Sequence, residues 1–493
     1  MSANKTKMTL TYTKKLMKHF KNPKFVKKMT NPDAVGEVGN IRCGDVMHLE
    51  IKVKNNKIED IGFQTFGCLP LKEEVSIKEG NWVDVSSVNI GDNVLNSDGK
   101  KTKVVENYVR NYNDDLITIT PFVSAFNKFS LTPEHPVLCV KRKWLKSARK
   151  SSNKCNWLRI NEKELFSIKP DFIEAGKLDV SDYILFIPNQ RIVDSAIFTE
   201  DIMKLIGYYL AEGYTSAKGN VVAFAFNKSE TEYINEVKEL LNKVIKKTAK
   251  ERTRKNVTEV YICSKKLADF FIKNCGKYAQ HKKLSDKILI LPFEKQWKMI
   301  ETYIKGDGNI YKRRLKDSST YRITTASRNL AIQTQEILAR GGVFTSIKKD
   351  NRNRDNHYIE GRKVSYNQHY EISFKLKKKN KFYHFNGKYI LVPIKKIDQT
   401  NYNEKVYNFQ VAGEPHSYLV KGFAVHNCPA AVASSDVVCK LAKGKTLKEA
   451  KKITKDDVIK ELGGMPTIKI HCSVLGIQAL NKAIENFEKK NGK

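Results

Sequence analysis

Residues 406–429 read V-Y-N-F-Q-V-A-G-E-P-H-S-Y-L-V-K-G-F-A-V-H-N-C-P. An alternating apolar pattern, the mark of a half-buried strand, runs into His426, Asn427 and Cys428 in a row. A carboxamide can attack its own backbone carbonyl, closing a succinimide and cutting the chain after Asn427. A neighbouring imidazole can move the proton, and a Cys just past the cut can act as a nucleophile. Alone the tripeptide is a weak signal, since such runs are usually incidental. A matching nucleophile far upstream gives it weight. Cys68 follows Gly67 in T-F-G-C-L-P-L-K-E-E, and L-T-P-E-H-P carries Thr132 and His135 after a strand-like run.

Together these blocks resemble the two ends of an intein, a self-excising protein segment. By that resemblance the insert is residues 68–427, 360 in number, and the flanks are 1–67 and 428–493, together 133. Joined, the flanks read Q-T-F-G then C-P-A-A-V-A-S-S, one continuous protein. The outer parts of the insert, 68–195 and 381–427, are strand-rich with turns such as those in V-N-I-G-D-N-V-L-N-S-D-G-K and L-D-V-S-D-Y-I-L-F-I-P. They resemble the all-β splicing (Hint) fold shared by inteins and hedgehog autoprocessing domains. The resemblance implies that Cys68 takes the acyl group of Gly67 as a thioester, with Thr132 and His135 straining and protonating the peptide. Cys428 then receives the acyl group, Asn427 cyclises with help from His426 and His416, and an S-to-N shift joins Gly67 to Cys428. The family often has Asp or Cys where this chain has Asn408, a departure that bears on the timing of the two cleavages.

The middle, about 196–380, alternates helices and strands. Two helical stretches end alike, K-L-I-G-Y-Y-L-A-E-G-Y and M-I-E-T-Y-I-K-G-D-G-N, each with a carboxylate, Glu212 or Asp307, just before Gly213 or Gly308. A carboxylate at a helix C-terminus opposes the macrodipole and wants a cation. Two such helices packed through small residues would bring the carboxylates together as a hard-oxygen site for Mg²⁺, suited to phosphodiester hydrolysis by metal-activated water. The stretch resembles the LAGLIDADG homing endonucleases, an α/β fold with two pseudo-symmetric halves. That family implies double-stranded DNA, the insertion site in its own gene, as partner, and a lysine near the metal, here Lys282 or Lys283. K-K-D-N-R-N-R-D-N and Y-K-R-R-L-K are candidate phosphate contacts, against the blander reading of solvated loops.

Charge follows this division. Of the net +36, residues 196–380 carry +18 and the flanks +13, leaving +5 for the outer parts of the insert. The middle is thus the segment with an electrostatic case for nucleic acid. Mean hydropathy is −0.49, no run reaches the length of a membrane span, and M-S-A-N-K-T-K-M-T-L lacks an apolar signal core. No membrane partner and a cytoplasmic location are expected. Nine irregularly spaced cysteines read as reduced thiols. Cys139, Cys155, Cys263, Cys275 and Cys439 are expected to be small buried apolar groups.

In the flanks, residues 8–29 suggest an amphipathic helix with Leu16, Met17 and Phe20 on one face. Residues 47–53 and 58–66 alternate as strands about an N-N-K hairpin turn, and three helices follow Cys428, one of them capped by Thr454. A final amphipathic helix opens at His471 and Cys472. The motifs C-G-D, F-G-C-P-A-A-V-A-S-S and I-H-C-S-V-L-G resemble the iron–sulfur cluster assembly scaffolds of the IscU and NifU N-terminal type, an α+β fold. Cys43, Cys428 and Cys472 would then hold a nascent cluster, with Asp45 or His471 as extra ligands, thiolates being the soft donors that such clusters need. A cysteine desulfurase and cluster-acceptor proteins are the implied partners. The bacterial scaffold's Leu-Pro-Pro-Val-Lys segment is replaced by M-P-T-I-K at 465–469, a departure that bears on chaperone use. The whole is a multidomain chain: a split α+β scaffold (1–67 and 428–493), an all-β splicing domain (68–195 and 381–427) and an α/β endonuclease (196–380). Two alternatives stand beside it: a middle domain that binds DNA without cutting, and flanks that form a non-cluster protein with incidental thiols.

Overall fold

The computed structural model describes residues 13–21, 23–27, 29–39, 46–64, 67–77, 80–146, 160–312, 319–350, 358–359, 362–363, 368–376, 382–412, 415–426, 429–465 and 470–492. Cys43, Asp45, Asn427, Cys428 and Cys155 lie outside these residues, as do the side chains of His471 and Cys472 and most of the two basic loops.

Three antiparallel strands, Ala34–Gly39, Val46–Lys54 and Lys57–Gln64, form a sheet near the start of the chain. Asn55 and Asn56 both hold positive φ (51° and 58°), the tight hairpin geometry that short polar side chains tolerate. One face of the sheet, with Met47, Leu49, Ile51, Ile61 and Phe63, is buried against Pro429–Ala442 and Ile470–Lys490, helices from the other end of the chain. Contact is at backbone distance: a Cβ on Gly36 would stand 1.9 Å from Ala479 O and 2.5 Å from Ala483 N. Asp436, buried in the first of these helices, accepts hydrogen bonds from Lys24 N and Phe25 N and meets His19 Nδ1 at 2.6 Å. The two ends therefore share one core across the whole of the insert between them.

One expectation for this part is corrected, and one strand is added. The first helix is Lys14–Lys21 and not a stretch to residue 29: Pro23 disfavours helix at the residue before it, and Val26 instead bridges to Phe63. Strand Ala34–Gly39 is an addition, formed by a glycine-bearing run that the larger hairpin recruits. The downstream helices fall where expected, with Gly444 at φ +82° after the first and with Thr446 and Thr454 each completing a capping box.

Strands dominate the described residues between 68 and 186 and between 384 and 426. Lys101–Pro121 pairs antiparallel with Ile390–Val411 from Pro121 opposite Ile394 to Val104 opposite Val411, spanning both outer parts of the insert. They run through a 13-stranded sheet whose apolar faces enclose Ile119, Phe129, Val137, Phe186, Phe409 and Tyr418. The outer reach of this ribbon touches the flanks, where Tyr112, Leu116 and Val406 join the scaffold core and Tyr108 meets Phe20 edge-on at 3.9 Å.

Between the outer parts, helix Glu200–Glu212 leads to the sheet Gly213–Thr215, Val221–Asn227, Val257–Cys263, Lys250–Arg254 in spatial order. Helix Phe293–Asp307 leads to Gly308–Lys312, Ser319–Thr325, Tyr370–Phe374, Ser346–Lys349 in the same order. The repeated order makes two pseudo-symmetric halves. Cys139, Cys275 and Cys439 are buried as expected, whereas Cys263 is exposed, at the last position of its strand.

Candidate active sites

The junction between Gly67 and Cys68 is enclosed. Strand register sets Tyr407 opposite Leu69, carrying Asn408 over the junction. The loop after Phe129–Leu131 brings Thr132 and His135 to its other side. Cys68 N donates to Thr132 Oγ1 at 2.9 Å, and Thr132 N donates back to Cys68 O at 3.0 Å. Asn408 Nδ2 donates to Gly67 O at 2.5 Å. The amide is fixed from behind, since its Oδ1 accepts from Phe409 N at 2.7 Å and Tyr418 OH at 3.0 Å. Only glycine fits at 67: a Cβ there would lie 2.0 Å from His135 Cβ.

His135 is fully buried, and burial pushes its imidazole down to about 4, opposed by the backbone of Cys68. It is therefore neutral at physiological pH and able to accept a proton at the junction. Burial, and then Cys68, raises the Tyr418 hydroxyl. His426 ends strand Phe423–His426, which pairs with the strand after His135 through Val425 and Val137, and its ring lies 4.9 Å from Phe172. His416 Nδ1 meets Val411 O at 3.2 Å one strand away. The structure thus gathers Cys68, Thr132 and His135 at one junction and places His426 on the adjoining strand. Sequence reasoning missed Tyr418, an aromatic in an apolar run with no signal of its own, and it named Asn408 only as a departure.

The second site lies where Glu200–Glu212 and Phe293–Asp307 cross. Both helices end at their carboxylate, as the x-E-G and x-D-G runs require. Their contact is made by small residues: a Cβ on Gly306 would lie 2.4 Å from Ala211 Cβ, and one on Gly207 would lie 2.0 Å from Thr302 Oγ1. Thr302 Oγ1 donates across the contact to Lys204 O at 2.9 Å. Asp307 is open to solvent on one side, yet the protein packed around its carboxyl, and then the charge of Glu212, push it up to about 7. Burial, and then Glu230, raises Glu212, with Lys282 opposing. Each carboxylate also sits at a helix C-terminus, where the macrodipole disfavours negative charge.

Of the two candidate lysines, Lys282 is buried and Lys283 exposed. Lys282 Nζ donates to Tyr209 O and Leu210 O at 2.8 Å, and burial lowers it to about 8, with Asp307, Cys275 and Glu212 opposing. Two carboxylates at adjoining helix ends, one of them raised by burial and then by the charge of the other, fit a divalent cation, whose other ligands would be water and phosphate oxygens. Among the described residues no group of three or more His, Cys, Asp or Glu is gathered to hold a metal by itself. No helix among them is long and apolar enough to cross a membrane.

Residues 11–70 and 419–493 match the NifU-like N terminal domain, and residues 199–276 and 294–405 match the LAGLIDADG-like domain. The chain carries a NifU-like N terminal domain split between its two ends, with a LAGLIDADG-like domain inserted between them. An iron-sulfur cluster assembly SufBD family protein of Mycobacterium bovis is 31% identical over 376 residues, covering 75% of this chain and 44% of that protein. An ATP-dependent DNA helicase Hel308 of Thermococcus kodakarensis is 25% identical over 394 residues, 70% of this chain and 34% of that protein. The iron-sulfur cluster assembly scaffold protein IscU 1 of Archaeoglobus fulgidus is 58% identical over 57 residues, 12% of this chain and 37% of that protein. The chain thus spans less than half the length of each of these relatives. The homing endonuclease I-DmoI aligns with 37% of this chain and 85% of its own, at 14% identity and a TM-score of 0.26.

Proposed function

We propose that this chain is a precursor: a cluster-assembly scaffold interrupted by an intein that carries a DNA endonuclease. The observation that carries the reading is the enclosed peptide between Gly67 and Cys68, held at its N–H by Thr132 and at its carbonyl by Asn408 beside a neutral His135. An ordinary surface loop has no need of such a grip. The relatives support it. A helicase and a SufBD family protein match about 70% of this chain or more, whereas the flanks together hold only 133 of the 493 residues. A shared insert in different hosts accounts for that.

The Cys68 thiol attacks the Gly67 carbonyl carbon, the peptide bond opens, and the thiol proton passes to the freed amine by way of His135. Cys428 takes the acyl group, Asn427 cyclises with His426 and His416 moving protons, and the flanks join. The transfer to Cys428 and the final joining work on an acyl sulfur instead of an inert amide, while Asn427 opens the amide before Cys428 by closing its succinimide. The scaffold core, already assembled from both flanks, keeps the two ends together meanwhile. In the middle domain, Glu212 and Asp307 would hold Mg²⁺, which supplies charge neutralisation and an activated water for phosphodiester hydrolysis. Lys282 stands ready beside them as a proton donor or as a positive charge for the departing oxygen. The spliced flanks would assemble an iron–sulfur cluster on Cys43, Cys428 and Cys472, with Asp45 or His471 assisting, fed by a cysteine desulfurase and emptied by acceptor proteins. The location is the cytoplasm.

Intact mass after expression tests excision. Products of 133 and 360 residues, absent from a Cys68→Ala, Asn427→Ala control, are expected; only the 493-residue chain would refute it. Cleavage of a plasmid carrying the uninterrupted host gene tests the nuclease, and uncut DNA with Mg²⁺ present would remove that part.

A further inference from the structure

We infer that Asn408 is a catalytic residue of the first acyl shift, its carboxamide N–H stabilising the oxyanion that forms on Gly67 O. The inference rests on the splicing reading and adds a role to a residue in which this chain departs from the related splicing domains. Asn408 is nearly fully buried, and its Nδ2 donates to the carbonyl oxygen of the bond that must open. Its Oδ1 is taken by Phe409 N and Tyr418 OH, both donors. Two donors on one face fix which end of the amide turns to Gly67, so the N–H is aimed before reaction and need not reorganise.

The peptide is gripped differently on its other side. Thr132 Oγ1 accepts from Cys68 N, the nitrogen that leaves. Asn408 therefore holds the oxygen that gains charge, and Thr132 holds the amine that gains a proton. In the step, the bond from Cys68 Sγ to the Gly67 carbonyl carbon forms, and the bond from that carbon to Cys68 N breaks. The thiol proton ends on the amine, and nothing is gained or lost. Between the two events the carbonyl oxygen is an alkoxide in a site from which bulk water is excluded, where an oriented donor is worth far more than in water. A carboxylate at the same place would face that oxygen with a like charge.

The full chain carrying Asn427→Ala and Cys428→Ala keeps the first step and loses the later ones. Hydroxylamine traps its thioester by releasing residues 1–67, followed by gel and mass, with Cys68→Ala added to mark the uncatalysed level. Adding Asn408→Ala should slow release by about 10²-fold, the usual effect of removing one oxyanion donor. Asn408→Asp, nearly the same shape, should be slow at neutral pH and recover relative to the parent as pH falls, because a protonated carboxyl can donate again. Cys68, His135 and Tyr418, the other titratable groups at the junction, are common to both proteins, so the ratio cancels their titration. Release by Asn408→Ala within two-fold of the parent, or a ratio for Asn408→Asp that does not change with pH, overturns the assignment. A parent that releases no more than its Cys68→Ala version overturns the splicing reading itself, and the assignment with it.

Discussion

Replacing Gly207 with Ala should part the two carboxylates of the LAGLIDADG-like domain and slow the proposed cleavage. Gly207 lies mid-helix, about one and a half turns before Glu212. A Cβ there would stand 2.0 Å from Thr302 Oγ1, 2.2 Å from Met299 O and 2.9 Å from Tyr303 N. The Thr302 hydroxyl can rotate away, at the loss of its bond to Lys204 O. The Met299 carbonyl is helix backbone and cannot, and it lies far inside the 3.4 Å at which ordinary contact begins. The helices must separate by about 1 Å to bring the new methyl back to contact distance. Overpacking of this kind costs about 1–3 kcal/mol, part of it offset by the ~1 kcal/mol that Ala gains over Gly in a helix. Geometry has no such offset: a displacement of about 1 Å at the reacting groups costs on the order of 10² in rate. Cleavage is therefore the sharper readout. A plasmid bearing the uninterrupted host sequence is incubated with Mg²⁺, and nicked and linear forms are followed, with DNA binding measured in parallel. Binding within a few-fold of the parent, and cleavage down by about 10²-fold, is expected. Unchanged cleavage would refute the account of how these helices set the site.

The carboxylate pair also predicts a pH response. Asp307 is held near 7 in the folded chain, above its ordinary range, so the native state keeps a proton that the unfolded state gives up. Metal-free stability should then fall as pH rises from about 4 through 7. Asp307→Asn should flatten that slope and Mg²⁺ should counter it above pH 7, both read by thermal unfolding. In the scaffold, Gly36→Ala drives a methyl to 1.9 Å from Ala479 O. Joined flanks carrying it should lose about 1–3 kcal/mol, a Tm lower by several degrees, and an unchanged Tm would deny that strand and helix meet there. Joined flanks supplied with iron and sulfide should develop charge-transfer absorbance that Cys43→Ala abolishes; a colourless parent would end the scaffold role.

The parts legible in the sequence are those where chemistry fixes residue type and place together. Glu212 and Asp307 each precede a glycine after an apolar helical run, and the helices end there because the chain must turn at once into a strand. The gathering of Cys68, Thr132 and His135 at one peptide was equally legible, because the proposed acyl shift needs all three there. Strand Ala34–Gly39 was not: A-V-G-E-V-G has poor strand propensity, and its conformation comes from pairing with Val46–Lys54 and packing on the helix that closes the chain. The choice of Lys282 over Lys283 depends on burial beneath Tyr209, which two adjacent lysines cannot reveal. The orientation of Asn408 depends on Tyr418, brought there by a hairpin whose register no local pattern specifies.

The most direct test of splicing is the new bond itself. Trypsin cuts after Lys57 and Lys440 with no Lys or Arg between in the joined product. Splicing predicts one peptide in which residues 58–67 run directly into 428–440, identified by fragmentation across Gly67 and Cys428. Finding only 58–72 and 422–440, the peptides of the unspliced chain, would contradict it. So would separate ends at Gly67 and Cys428, which would mean cleavage without ligation.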